Sequence, residues 1–300
     1  MRASSSSSGG GGAAAAAAEE ETAPFEDGQY VRLVNRGRGG YLSADDTGRG
    51  VSVDRRRGAA ATAWAVQILR TPRAAHVLLR GAYGRYLAVT GDAPRPGHAG
   101  FHVAQCVFDD AGDRHVEWWT APGSRGSVLL LHGTAGGLRA LRANGRYKRW
   151  HTGVTVEAVN FSRVTSMMEW EVQVIPMTVE RPPYQPRPAS AAIRWHEGCQ
   201  KEVEISFVRA DDSGSFERQG WIEMLFEGRS LSELGNEIAT RIGCGLTFEN
   251  LTLFVLGGRL ARPTPLLTDL PFRDDPVMIV VFVDGTPGHN ALCFPDLAAE

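Results

Sequence analysis

The chain has 300 residues, with 32 Lys and Arg against 34 Asp and Glu, a formal charge of −2, and 43% hydrophobic residues. That is apolar mass enough for about two domains with real cores, and the charge balance excludes a globally basic nucleic-acid binder while leaving room for a local basic patch. No window approaches the ~20 apolar residues that a membrane-spanning helix needs.

Residues 1–24 hold five Ser, four Gly and six Ala in blocks, followed by Glu19, Glu20 and Glu21. So little apolar bulk predicts a disordered low-complexity head. The Ala block is too short and too weakly hydrophobic for a secretory core, and only Arg2 precedes it. Abundant Ser and Ala would suit a plastid transit peptide, but the Glu triplet argues against one. The expectation is a cytoplasmic protein.

Over residues 25–177 a four-part motif comes round three times. Its first part is Val-x-Leu, at Val31/Leu33, Val77/Leu79 and Val128/Leu130. Its second is a short strand built around Leu42, Leu87 or Leu141. The third is Gly-apolar-x-Val, from Gly50, Gly100 and Gly153, and the fourth a closing Trp at Trp64, Trp119 and Trp170. Matching parts lie about fifty residues apart, the mark of a repeat architecture. Three rounds of four short alternating segments predict roughly twelve strands and an all-β trefoil with pseudo-threefold symmetry. Closing the barrel removes the exposed edges that an open sheet would leave.

Five prolines from Pro176 to Pro188 predict an extended, semi-rigid linker over 178–191. Residues 192–286 then read as a second domain. Val203, Ile205 and Phe207 alternate in a strand over 202–209, and a turn at Asp211-Asp-Ser-Gly214 leads to another around 221–226. Ser230-Leu-Ser-Glu233 has capping-box spacing and starts a helix. Leu231, Leu234, Ile238 and Ile242 fall on one face of it, and Gly243 stops it. Strands over 251–256 and 277–283 complete the order ββαββ, an α+β ubiquitin-like β-grasp domain. Gly257 and Gly258 lie inside this domain and not at the chain's end, which predicts an interaction module and not a conjugated modifier. Residues 287–300 read as a flexible tail.

The segments Tyr30-Val-Arg-Leu33, Ala82-Tyr-Gly-Arg-Tyr-Leu-Ala88, Leu141-Arg-Ala-Asn-Gly145 and Trp150-His-Thr-Gly-Val-Thr155 resemble the plant DUF569 family, whose trefoil belongs with the fascin-like actin-cross-linking fold. Phe226-Glu-Gly-Arg-Ser230, Gly258-Arg-Leu260, Thr264-Pro-Leu266 and Asp269-Leu-Pro271 resemble the ubiquitin-like C-terminal domain of the same family. After its Asn-Gly the family usually reads Pro-Pro-Trp-Arg-Asn. Here Arg146-Tyr-Lys-Arg-Trp150-His makes that loop more basic, and the head is longer than the family's.

Familiar catalytic signatures are missing from the sequence: no Gly-x-Ser-x-Gly elbow, no P-loop and no dinucleotide fingerprint. Gly37-Arg-Gly-Gly40 reads as a hairpin turn. His98 and His102 are spaced i,i+4, but Gly97 and Gly100 oppose a metal-binding helix there. Asp109, Asp110 and Asp113 lack the ligand order of a calcium loop and read as a solvated turn. Cys106, Cys199, Cys244 and Cys293 are scattered and predict free thiols. Neither a cofactor nor a metal is expected, and the chain does not read as an enzyme.

The candidate binding residues are Arg142, Arg146, Tyr147, Lys148, Arg149, Trp150 and His151. Guanidinium groups with interleaved aromatics suit carboxylates or phosphates at a protein interface. Arg55, Arg56 and Arg57 form a second basic cluster, and solvated hairpins are the plain alternative for both. The fascin-like resemblance implies a non-enzymatic protein partner, with actin filaments the first candidate. Bundling would require a second filament-binding surface, since fascin has four trefoils and this chain one. A ubiquitin-like adaptor without an actin role is the alternative. A carbohydrate-binding trefoil is another, although the Gln-x-Trp of ricin-type lectins is absent. Neither nucleic acid nor membrane is expected as a partner.

Overall fold

The computed structural model describes residues 22–72, 74–94, 98–145, 153–187, 202–243, 245–272 and 275–299. Nearly all of the expected disordered head therefore lies outside the described residues, and Thr22, near its end, is already buried.

Each repeat contributes four strands. The first gives β1 (Tyr30–Asn35), β2 (Gly40–Ala44), β3 (Val51–Asp54) and β4 (Trp64–Arg70). The second gives β5 (Ala75–Arg80), β6 (Tyr86–Val89), β7 (Phe101–Cys106) and β8 (Trp119–Pro122). The third gives β9 (Val128–Thr134), β10 (Gly137–Ala143), β11 (Val154–Ala158) and β12 (Trp170–Ile175). β1 pairs with both β4 and β12, β4 with β5, β8 with β9 and β9 with β12, while a Val77–Trp118 bridge joins β5 to the start of β8. These six strands close a barrel. The hairpins β2–β3, β6–β7 and β10–β11 meet at one end through the β7–β11 pairing and through bridges from Gly50 to Ala104 and Ser52 to Gly153. The fold is a β-trefoil.

The core is the repeat itself. Val31, Leu33, Leu42, Val77, Leu79, Leu87, Val128, Leu130 and Leu141 pack in one buried cluster with Trp64, Trp118 and Trp170. Each indole N–H donates to a leucine carbonyl of its own repeat: Trp64 to Leu42 at 3.0 Å, Trp118 to Leu87 at 2.9 Å and Trp170 to Leu141 at 3.0 Å. That corrects the sequence reading in the second repeat, where Trp118 and not Trp119 occupies the core. Adjacent residues of an extended strand face opposite ways, so Trp119 turns out of the barrel and its ring lies 4.9 Å from that of His76.

After a two-residue strand β13 (Met177–Thr178), the second domain has β14 (Glu202–Arg209), β15 (Ile222–Glu227), helix α1 (Leu231–Ile242), β16 (Leu251–Leu256), β17 (Thr264–Pro265) and β18 (Val277–Val283). Its sheet runs β15-β14-β18-β16-β17, with β14 and β18 parallel at the centre. The Ser230 hydroxyl accepts the Glu233 N–H at 3.3 Å and caps α1. Leu231, Leu234, Ile238 and Ala239 of the helix are buried against Val203, Ile205, Phe207 and Ile279.

Residues 287–299 are not the flexible tail that their composition suggests. Helix α2 (Pro287–Asn290) and β19 (Phe294–Pro295) follow β18, and β19 pairs with β13. Phe294 covers the outer face of β16 and β18 beside Phe254 and Phe282. The fully buried Arg32 of the trefoil donates to the Leu297 carbonyl at 2.7 Å. A buried guanidinium without acceptors would be costly, so this carbonyl fixes where the chain must run.

Candidate functional site

Two surfaces of the trefoil come into question, and one is already occupied. The β5–β6 turn of the second repeat inserts into the ubiquitin-like domain. Tyr83 joins that domain's core. Gly84 has φ +72° with its Cβ position only 2.9 Å from the Val255 carbonyl oxygen, and a Cβ on Gly257 would overlap the Gly84 carbonyl. The Phe108 N–H donates to the Gly257 carbonyl at 2.7 Å, and the Phe108 carbonyl accepts from Leu260 N–H at 2.9 Å. Gly258, at φ +120°, leaves only 2.6 Å between a Cβ and Phe108 backbone atoms. Arg80 donates to the Thr264 hydroxyl. Asp275 receives Arg49 and Arg85, the latter at 3.1 Å, while Arg262 meets Asp27 at 2.9 Å. Asp109 accepts the Arg259 N–H at 2.7 Å. The expected solvated Asp turn is therefore part of this interface.

At the β1–β2 turn the first repeat presents exposed Arg36 and Arg38 instead. Arg38 reaches the Met167 sulfur at 3.2 Å and Arg142 reaches the same sulfur at 3.7 Å, which brings two guanidinium groups together. Arg38 also lies against Gly145, 2.6 Å from where a Cβ would stand. Arg36 donates to the Arg125 carbonyl at 2.8 Å. Arg125, at φ +51°, is the non-glycine with positive φ among the described residues, a conformation that costs about 1–2 kcal/mol. Beside it the Glu169 carboxyl accepts the Ser124 N–H at 2.7 Å. Hydrogen bonding from Ser124 outweighs burial and, with the nearby Arg36 charge, holds this acid below the usual carboxylate range. The loops β1–β2 and β8–β9 and the end of strand β10 thus bring Arg36, Arg38, Arg125 and Arg142 to one end of the barrel, around Met167 of the β11–β12 loop.

Of the seven candidate residues read from the sequence, Arg142 is described, and it is not free: it pairs with Glu157 across the β10–β11 hairpin. Arg146, Tyr147, Lys148, Arg149, Trp150 and His151 lie outside the described residues. The described residues on either side are joined by the Asn144 N–H donating to the Gly153 carbonyl at 3.0 Å, and Gly145 lies against Arg38. Arg36, Arg38 and Arg125 were not singled out because each sits in a short glycine-bearing turn that reads as punctuation. Two members of the second cluster are committed elsewhere. Arg56 pairs with its neighbour Asp54 at 2.7 Å, and Arg57 donates to the Ala299 carbonyl.

Among the described residues no group of three His, Cys, Asp or Glu could hold a metal, and no helix is long and apolar enough to cross a membrane. Burial pushes the Cys106 thiol up, against the nearby charges of Arg85 and Arg49. The arrangement at the barrel end can attract anions.

A family model described as the beta-trefoil domain of unknown function DUF569 matches residues 23–170, and one described as the DUF569-associated ubiquitin-like domain matches 201–282. The chain belongs to the DUF569 family. Its resemblance motifs now have physical meaning. Ala82-Tyr-Gly-Arg and Gly258-Arg-Leu are the two sides of the domain contact, and Asp269 accepts from Tyr184 and from the Leu231 N–H that opens α1. No curated protein matches this DUF569 chain. Solved structures similar to it include the SDF2-like protein from Arabidopsis thaliana, at 16% identity over 49% of this chain and 93% of that one, with TM-score 0.40. Others are the Macrolepiota procera ricin B-like lectin in complex with lactose, at 14% over 49% and 96%, TM-score 0.38, and the designed three-fold symmetric protein ThreeFoil, at 18% over 48% and 96%, TM-score 0.38.

Proposed function

We propose that this DUF569 protein is a non-enzymatic binding protein whose basic trefoil end holds an acidic protein surface, with the actin filament as the first candidate. The observation that carries the reading is the convergence of the exposed Arg36, Arg38 and Arg125 at one end of the barrel. Exposed guanidinium groups attract a polyanionic surface in a salt-sensitive way, and the left-handed Arg125 is local strain of the kind that functional loops retain. A sugar-binding reading has less support, since Trp64, Trp118 and Trp170 are wholly buried with their N–H groups in use. The free thiols of Cys106 and Cys293 are in keeping with the cytoplasmic setting that the proposal requires.

The test is co-sedimentation of the full chain with actin filaments at low and moderate salt. Two triple variants run beside it, one with Arg36, Arg38 and Arg125 changed to Ala and one with Arg146, Lys148 and Arg149 changed to Ala. Salt-sensitive pelleting that both variants weaken is the expected result. If the wild-type chain stays in the supernatant at low salt, the actin candidate is wrong.

A further inference from the structure

The sheet of the ubiquitin-like domain is covered unevenly. Its inner face packs on α1, and Phe216, Trp221, Leu292 and Phe294 close the outer face over β16 and β18. Val208 at the end of β14 still belongs to that cluster, but the start of β14 and the paired end of β15 have no such cover. Glu202, Glu204, Glu223 and Glu227 stand exposed around Leu225, itself 64% exposed. The register sets Glu202 opposite Glu227 and Glu204 opposite Leu225, and like charges directly opposite destabilise a sheet. None of the four carboxylates has a hydrogen-bond or ion-pair partner among the described residues. β15 is also the edge of the sheet, the position from which a sheet recruits partners.

We infer that this face docks the basic trefoil end of a second copy of the chain. Charge complementarity selects that occupant. Arg36, Arg38 and Arg125 are exposed and, among the described residues, none of them forms an ion pair, although Arg36 acts at longer range on the Glu169 carboxyl. One molecule does not satisfy both patches, because the second repeat's turn is the one that meets the ubiquitin-like domain, and no described ion pair joins the two patches. A contact between unlike patches is heterologous. A copy docked through one patch keeps the other free, so assembly continues, into a ring where the rotation closes and into an open chain where it does not. The inference rests on the basic end being a binding face, as proposed above, and it makes self-association and capture of an acidic partner competitors for the same arginines.

Sedimentation velocity of the full chain, without filaments, tests it. The wild type should associate with rising concentration at low salt and dissociate at high salt. Arg36→Glu with Arg38→Glu should be monomeric, and so should Glu204→Lys with Glu223→Lys, because each sets like charges against each other. Mixed in equal amounts, the two variants should associate again, since every contact then joins a basic to an acidic patch; that recovery also shows both are folded. A wild type that stays monomeric at low salt overturns the inference, as does a mixture that stays monomeric. Association that survives high salt and both charge reversals overturns it too, in favour of apolar edge pairing at β15. The Glu204→Lys/Glu223→Lys variant keeps the basic end and should still pellet with filaments. Loss of self-association alone therefore leaves the filament reading intact, and loss of pelleting alone leaves this one intact.

Discussion

Trp118 and Trp119 differ by one position and have opposite surroundings, so they offer a sharp test of what the repeat is for. Trp118 fills the barrel and donates to Leu87, while Trp119 is half-buried on the outside against His76. Trp118→Ala should cost about 3–5 kcal/mol, the range for a large aromatic removed from a packed core. Trp119→Ala should cost much less. Urea unfolding of the two variants checks this, and equal losses would mean that the second repeat does not close on Trp118. The Trp-Trp dipeptide is where the sequence was ambiguous: motif spacing tolerates a shift of one residue, but a strand's alternation does not. Asp275 gives a second prediction at this scale. Burial pushes its carboxyl up, yet the Arg49 hydrogen bond and the charges of Arg85 and Arg49 hold it below the usual range. A carboxyl depressed on folding contributes stability above its unfolded value of ~3.9 and loses it as pH falls through the folded value. Asp275→Asn should therefore destabilise the protein at neutral pH, with the gap to wild type shrinking below about pH 4. Unfolding curves at neutral and acid pH would show whether it does.

Turns that look alike in sequence separate at the scale of elements. Gly39 in the β1–β2 turn and Gly84 in the β5–β6 turn both have positive φ, at +63° and +72°. A Cβ at Gly39 meets nothing within 4 Å, whereas one at Gly84 meets the backbone of Val255 and Gly257. Gly39→Ala should cost only the backbone term, about 1 kcal/mol. Gly84→Ala should cost more and loosen the domain contact, seen as a larger drop in melting temperature together with new binding of a hydrophobic dye. Equal effects would show that the contact yields at little cost. The elements that local chemistry specifies were legible from the sequence: twelve strands from alternation, and α1 from Ser230, its apolar face and Gly243. The docking was not, because its determinants (two glycines, one tyrosine and backbone amides far apart in the chain) read locally as ordinary turns. The basic end escaped for the same reason, since its arginines come from two separate loops and a strand.

For the whole molecule, the contacts predict one cooperative unit and not two domains on a hinge. Tyr83 lies in the core of the ubiquitin-like domain, Leu78, Tyr86 and Phe108 pack with Ala261, and Tyr30 and Ile175 pack with Leu267 and Leu297. The last of these clusters brings the C-terminal stretch back to the trefoil, where Arg32 also needs the Leu297 carbonyl. Ending the chain after residue 286 would remove Phe294 from the outer sheet face and Leu297 from the domain contact, and it would leave a buried guanidinium short of an acceptor. An unsatisfied buried polar group alone costs about 1–3 kcal/mol, more when it is charged. Truncation should therefore destabilise the trefoil as well as the domain it is cut from. Calorimetry of the full chain should show a single transition whose van't Hoff and calorimetric enthalpies agree, and the truncated chain should melt lower throughout. Should only the ubiquitin-like domain melt earlier, with the trefoil transition unmoved, Arg32 would have found its acceptors elsewhere and the two domains would be independent after all.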